Sequence, residues 1–214
     1  MQVTVIGAGN MGRGIGHRLV AGGHEVTILD RDPEEAGRLA EELRGAAQGG
    51  ATVDAAGPGV EPRGEVVVLA VYYPGNLELA RDLGGGLAGK VVMDISNPLN
   101  RTFDGLATAP GTSAAEEVAA TVPSGTRVVK AFNTTFSGTL VEGRVAGQPL
   151  DVLIAGDDEE AKETVAQLVR DGGLRAIDVG PLERARELEG LGFLGIALQQ
   201  PLGLNFQSAW KLVS

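Results

Sequence analysis

Short apolar, β-branched runs alternate with amphipathic stretches along almost the whole chain. The runs predict strands over residues 2–6, 25–29, 65–71, 90–95, 127–131, 151–155 and 175–178. Between them, apolar positions recur with a helical period, which predicts helices over 10–21, 33–44, 76–83, 113–120, 157–170 and 182–198. Start signals support two of these. Asp32 precedes Pro33 as a cap before a first-turn proline, and Asp157 and Asp158 place negative charge at a helix N-terminus, where it is favoured. Residues 45–64 are rich in Gly, Ala and Pro, with a short third strand expected near 51–54. Strands alternating with helices in this way describe a mainly parallel sheet covered on both faces.

The first strand runs directly into Gly7-Ala8-Gly9-Asn10-Met11-Gly12, and a helical pattern follows at once. In that setting GxGxxG has a mechanical meaning. Gly7 permits the tight turn, Gly9 lets the backbone approach a pyrophosphate, and Gly12 lets the helix pack closely on the strand. The pyrophosphate would rest on amides at the helix N-terminus, where partial positive charge gathers. The expected fold class is therefore α/β, a Rossmann-type doubly wound, mainly parallel sheet. A dinucleotide-binding domain is expected over 1–180, followed by a short C-terminal helical segment, 181–214, that completes the site or forms a dimer interface.

The second strand ends in Asp30, eighteen residues beyond Gly12. An acid there accepts hydrogen bonds from the adenosine ribose and repels a 2′-phosphate, which favours NAD. Arg31 follows directly, and a guanidinium at that point can grip a 2′-phosphate or stack on adenine. NAD and NADP both stay open.

Ligands of open α/β sheets bind at the carboxyl ends of the strands, and that rule sorts the other candidates. His24 precedes the second strand at the opposite edge, and His17 is expected mid-helix in solvent, so neither is assigned a catalytic role. At the correct edge, the fourth strand ends in Val71-Tyr72-Tyr73-Pro74, the fifth leads into Ser96-Asn97-Pro98, and the sixth into Ala131-Phe132-Asn133-Thr134. Aromatic rings, small hydroxyls and amides suit a flat nicotinamide and its carboxamide. Val71, Tyr72, Tyr73, Pro74, Asn97, Pro98, Ala131, Asn133 and Thr134 are therefore candidate cofactor contacts. Two alternatives remain: the tyrosines cap the sheet instead, and Lys130 is either a salt-bridged structural lysine or an active-site group.

Composition narrows the partners. A formal net charge of −10 argues against nucleic acid, although helix ends and local arginines can still hold an anionic cofactor. The absence of cysteine removes disulfides, thiolate nucleophiles and Cys-ligated metals, and no metal site is expected. The 33 glycines have no collagen-like period and point to tight turns and close backbone contacts. The apolar stretch 191–206 contains Gln199, Gln200 and Pro201 and falls short of a membrane span, and a strand starting at residue 2 leaves no room for a signal peptide. A soluble, cytoplasmic protein with small-molecule partners is the expectation. The weakly charged segment 188–212 is expected to close the crevice or form a homodimer contact, with a helix folded onto its own sheet as the alternative.

The glycine block, Ser96-Asn97-Pro98 and Val128-Val129-Lys130-Ala131-Phe132-Asn133-Thr134, together with Gly156-Asp157-Asp158 and Asp178-Val179-Gly180-Pro181-Leu182, resemble the NADP oxidoreductases that use coenzyme F420, a deazaflavin. The cytosolic reductase domain of STEAP-type metalloreductases shows the same pattern. The resemblance covers nearly the whole chain and implies a dimer with NADP in the crevice and the deazaflavin stacked beside the nicotinamide. It implies that Gly9 to Gly12 hold the pyrophosphate and Arg31 the 2′-phosphate, while Tyr73, Pro74, Asn133 and Thr134 surround the nicotinamide. The chain departs from the family at Asp30, where Ser or Thr is usual, at Asp32, where a second basic residue is common, and at Asn133, which replaces a histidine as in the STEAP-like branch.

Hydride transfer between two stacked rings needs proximity and orientation more than an acid–base residue, so no catalytic side chain is assigned. The leading expectation is an oxidoreductase exchanging hydride between NAD or NADP and F420 or a flavin-like acceptor. The alternatives are an NAD(P)H-dependent reductase of a small carbonyl or imine, with Lys130 or a tyrosine as proton donor, and a non-catalytic dinucleotide sensor.

Overall fold

The computed structural model describes residues 1–213. In chain order the first half comprises β1 (Gln2–Ile6), α1 (Asn10–Ala21), β2 (Glu25–Leu29), α2 (Pro33–Ala46), β3 (Thr52–Ala56), β4 (Val66–Leu69), α3 (Gly75–Leu83) and β5 (Val91–Asp94). There follow α4 (Ala114–Thr121), β6 (Arg127–Lys130), α5 (Ser137–Glu142), β7 (Arg144–Val145), β8 (Gln148–Pro149), β9 (Asp151–Gly156), α6 (Glu159–Asp171), β10 (Arg175–Gly180), α7 (Ala185–Ala197) and α8 (Gln199–Leu202). Short 3-10 turns cover Gly84–Leu87 and Leu182–Arg184.

Eight strands form one sheet in the order β10-β9-β6-β5-β4-β1-β2-β3. The pairings are parallel except for β6 against β9. Strand β1 lies between β2 and β4. The chain turns one way to build β2 and β3 and the other way to build β4, β5 and β6, so the β1/β4 boundary is the switch point where a crevice opens.

Side chains of one strand feed two cores. Val66 and Val68 of β4 pack with Ile15, Leu19, Leu39 and Leu43 from α1 and α2, whereas Val67 and Leu69 pack with Ala80, Ala115 and Val118 from α3 and α4. All four β4 residues are fully buried, as expected of a central strand with helices on both sides. The crossover helices α2, α4 and α6 begin on side-chain caps, with Asp32 accepting from the Glu34 amide, Ser113 from Glu116 and Asp158 from Ala161. These contacts satisfy amides that the first helical turn leaves without partners.

The structure differs from the sequence expectation in three places and decides a fourth. β9 joins the sheet antiparallel to β6, because the intervening chain is the six-residue α5 and the β7–β8 hairpin rather than a full crossover helix. Residues 182–198 do not form one helix but a 3-10 turn followed by α7, with α8 continuing after Leu198. His17 is not in solvent: its side chain is 13% exposed, with Nε2 2.7 Å from Glu42 Oε1. For the C-terminal segment, contact with its own sheet is the alternative expectation, and the structure shows such a contact. Asp151, at the start of β9, accepts from the Leu212 amide at 2.9 Å and pairs with Lys211, and Phe136 meets Phe206 edge to face at 5.3 Å between ring centres.

Candidate active site

The turn after β1 is built so tightly that side chains have no place in it. Gly7 has φ +115°, and a Cβ there would lie 2.4 Å from the Ala70 carbonyl oxygen beyond β4. A Cβ on Gly12 would lie 1.9 Å from the Gly7 carbonyl oxygen, so α1 sits directly against the turn. Gly9 differs: a Cβ added there meets nothing within 4 Å, since it faces open space. Gly9 is also the N-cap of α1, and it offers no side-chain cap, in contrast to α2, α4 and α6. The N-terminal amides of α1 therefore point into the crevice mouth without a protein acceptor from the cap. This is a fitting cradle for a phosphate bridge. Asn10 is exposed and Met11 half-buried beside it.

Backbone bonds hold this turn between the two neighbouring strand ends. The Gly7 amide donates to Leu29 O at 2.8 Å, and the Ala70 amide donates to Ile6 O at 2.8 Å. Asp30 adds a side-chain clamp: its Oδ2 accepts from the Ala8 amide at 2.7 Å and its Oδ1 from the Asp32 amide at 3.0 Å. Arg31 is exposed next to it.

On the far side of the switch point, Val71 is half-buried, Tyr72 is 91% exposed and Pro74 is exposed. Tyr72 therefore does not cap the sheet. Tyr73 is half-buried and donates its hydroxyl to Glu117 Oε2 at 2.8 Å. Burial, with the Glu117 hydrogen bond and the charges of Glu117 and Glu189 added, pushes the Tyr73 hydroxyl up to about 12. A phenol so held is a poor proton donor at neutral pH.

Lys130 resolves as structural. Its ammonium is fully buried and donates to Asp94 Oδ2 at 2.7 Å, Glu189 Oε1 at 2.7 Å and Ser96 O at 2.6 Å, which uses all three of its protons. Asp94 also accepts from Asn76 Nδ2 at 2.6 Å and Ser96 Oγ at 2.9 Å, and Glu189 accepts from the Ala114 amide at 3.1 Å. This network fastens α7 to the carboxyl ends of β5 and β6 and to the start of α4. Burial raises the Glu189 carboxyl above the usual range, Lys130 and the Ala114 amide oppose that, and the Asp94 charge adds to it.

Asn97 and Asn133 form a second clasp. Asn133 Nδ2 donates to Asn97 Oδ1 at 2.9 Å and to Leu188 O at 2.8 Å, and Asn97 Nδ2 donates to Asn133 O at 2.7 Å. Ala131, Asn133 and Thr134 are buried, as is Pro98. Among the described residues Asn133 Oδ1 is buried and has no hydrogen-bond partner. The structure thus gathers Gly7, Gly9, Gly12, Asp30 and Val71 about the switch point, ties Tyr73 to α4 and sets Asn97 and Asn133 against α7. Sequence reasoning missed Asp94, Asn76 and Glu189. The available signal was the charged end of Val91-Val92-Met93-Asp94, since an acid closing a fully apolar central strand needs a buried cation.

Three variants test these contacts. Gly9→Val, with open space around its Cβ, lowers stability only by the roughly 1 kcal/mol that a poor N-cap residue costs and abolishes dinucleotide binding, whereas Gly12→Ala lowers stability by about 1–3 kcal/mol through overpacking. Thermal melts with nucleotide titration check both. Lys130→Met strands two buried carboxylates and costs about 3–5 kcal/mol in denaturant unfolding near neutral pH. A raised acid pKa in the folded state means that stability is highest below the ordinary glutamate value and falls as pH rises through the raised one. Lys130→Met therefore regains part of its loss on mild acidification as Glu189 takes up a proton.

Comparison with known proteins places this geometry. Residues 2–98 match the family model for coenzyme F420-dependent NADP oxidoreductases. The chain is 32% identical over 200 residues to the F420-dependent NADP reductase of Methanothermobacter thermautotrophicus, covering 88% of this chain and 85% of that one. It is 34% identical over 190 residues to the rat metalloreductase STEAP3, covering 89% of this chain but only 36% of that relative, so it spans about a third of STEAP3. The crystal structure of an F420-dependent NADP reductase candidate from Arthrobacter sp. FB24 superposes with a TM-score of 0.82 at 30% identity, covering 99% of both chains. No helix among the described residues is long and apolar enough to cross a membrane. With relatives this similar over most of its length, the chain belongs to the F420-dependent NADP reductase family of oxidoreductases.

Proposed function

We propose that this protein exchanges a hydride between a nicotinamide dinucleotide and a deazaflavin of the coenzyme F420 type. The observation that carries the reading is the N-terminus of α1 at the switch point, with no side-chain cap and with open space at Gly9. The amides of Asn10, Met11 and Gly12 would hold the pyrophosphate, and Asp30 and Arg31 would meet the adenosine ribose. Val71, Tyr72, Tyr73, Pro74, Asn97, Pro98, Ala131, Asn133 and Thr134 would frame the nicotinamide half. The two ring systems, once bound, supply the hydride donor and acceptor themselves, and the protein supplies their orientation.

The arrangement of proton-transfer groups favours this reading over reduction of a carbonyl or imine. Lys130 is sealed, Tyr73 is committed to Glu117, His24 is buried and lies beside the amino terminus, and His17 is bound to Glu42. A homodimer in the cytoplasm belongs to the same proposal. Leu194, Leu202 and Phe206 on the C-terminal segment are 47%, 61% and 50% exposed and would be covered by a second copy.

Mixing the protein with reduced nicotinamide dinucleotide and oxidised deazaflavin under anaerobic conditions tests the reading. Bleaching of the deazaflavin in step with nicotinamide oxidation is the expected result, and it disappears in Gly9→Val. A protein that oxidises reduced nicotinamide only when given a small ketone or imine contradicts it.

A further inference from the structure

We infer that the ribose corner of this chain selects the dinucleotide without a 2′-phosphate, NAD(H) over NADP(H), and that Asp30 and Asp32 are the residues that enforce the choice. The inference rests on the dinucleotide-binding reading above and concerns which dinucleotide is taken.

The carboxylate of Asp30 is fixed in place. One oxygen accepts from the Ala8 amide at 2.7 Å and the other from the Asp32 amide at 3.0 Å. Ala8 lies between Gly7 and Gly9, so Asp30 is tied to the turn that would hold the pyrophosphate and cannot swing away from the adjoining ribose. An ionised carboxylate only accepts hydrogen bonds. It takes two ribose hydroxyls well, and it opposes a phosphate dianion at the same point.

The second observation concerns the next helix. A 2′-phosphate beyond this strand would look for the N-terminal amides of α2, which carry partial positive charge. That end is already occupied: Asp32 caps it, with Oδ1 accepting from the Glu34 amide at 2.9 Å, and Glu34 and Glu35 fill the first turn. The helix end that could attract the extra phosphate is thus covered by carboxylates.

Local cations do not reverse this. Arg31 is exposed between Asp30 and Asp32, so the three residues together are net negative. Arg38 is paired with Glu35, and Arg13 is bound to Glu42 at 2.6 Å. Arg31 is free to lie along the adenine ring, a contact that both dinucleotides share and that does not discriminate between them.

Fluorescence titration of the folded protein with NADH and NADPH tests the inference. The expected result is a Kd for NADH at least about tenfold lower than for NADPH. Asp32→Asn, which keeps the capping acceptor and removes its charge, narrows that ratio, and Asp30→Asn with Asp32→Arg shifts it about tenfold or more toward NADPH. Equal or tighter NADPH binding by wild type overturns the inference and leaves the hydride-exchange reading intact. A ratio unmoved in folded Asp32→Asn and in the double variant also overturns it, because other residues would then set the preference. Binding of neither nucleotide to folded protein contradicts the dinucleotide reading, and this inference with it.

Discussion

The close approach of α1 to the turn after β1 is the constraint on which the rest depends. Gly12 leaves no room for a side chain against the Gly7 carbonyl, and Gly7 leaves none against the Ala70 carbonyl. Those two contacts bring the ends of β1 and β4 and the start of α1 to a single place, and the Gly7 amide bond to Leu29 O adds the end of β2. They also fix the direction of the α1 amides, since a helix held this closely cannot rotate its first turn away from the crevice. Gly9 then serves a different purpose from its neighbours. Nothing inside the fold demands its small size, and under the proposed function it leaves room for the phosphate bridge.

The buried polar network on the other side of the switch point complements that arrangement. Lys130, Asp94 and Glu189 join β6, β5 and α7, while Asn133, Asn97 and the Leu188 carbonyl join the same elements a few residues away. An isolated buried ion pair often adds little net stability, because desolvation offsets attraction. Its value here is positional: the C-terminal segment has one seating on the sheet, and the charged groups nearest the reaction edge are turned inward. A crevice lined by amides, hydroxyls and an exposed tyrosine suits transfer between two planar cofactors, a reaction limited by placement and not by proton supply.

Much of this was legible in the sequence, and the failures have physical causes. The strands β1, β2 and β6 and the helices α1 and α2 announce themselves through period, caps and β-branched runs, and the glycine spacing locates the tight turn between β1 and α1. Helix α5 was missed because six residues containing Gly138 and Thr139 show no helical period, although Gly143, with φ +73°, marks its end. The β7–β8 hairpin turns on Ala146 and Gly147, both with positive φ, and Ala-Gly is not a recognisable turn signal. With those elements unseen, the reversal of β9 could not be read. Lys130 stayed ambiguous for a deeper reason. Its partners Asp94 and Glu189 lie 36 and 59 residues away, and only the tertiary structure brings them together.

The central claim is that backbone amides at the start of α1, kept clear of side chains, receive the phosphate bridge of a dinucleotide. Amide chemical shifts recorded by NMR during titration with a reduced nicotinamide dinucleotide test it most directly. The account predicts that the largest downfield movements fall on Asn10, Met11 and Gly12, with Ala8 and Asp30 following. Saturable binding that leaves those amides unmoved and perturbs another face of the sheet would contradict it.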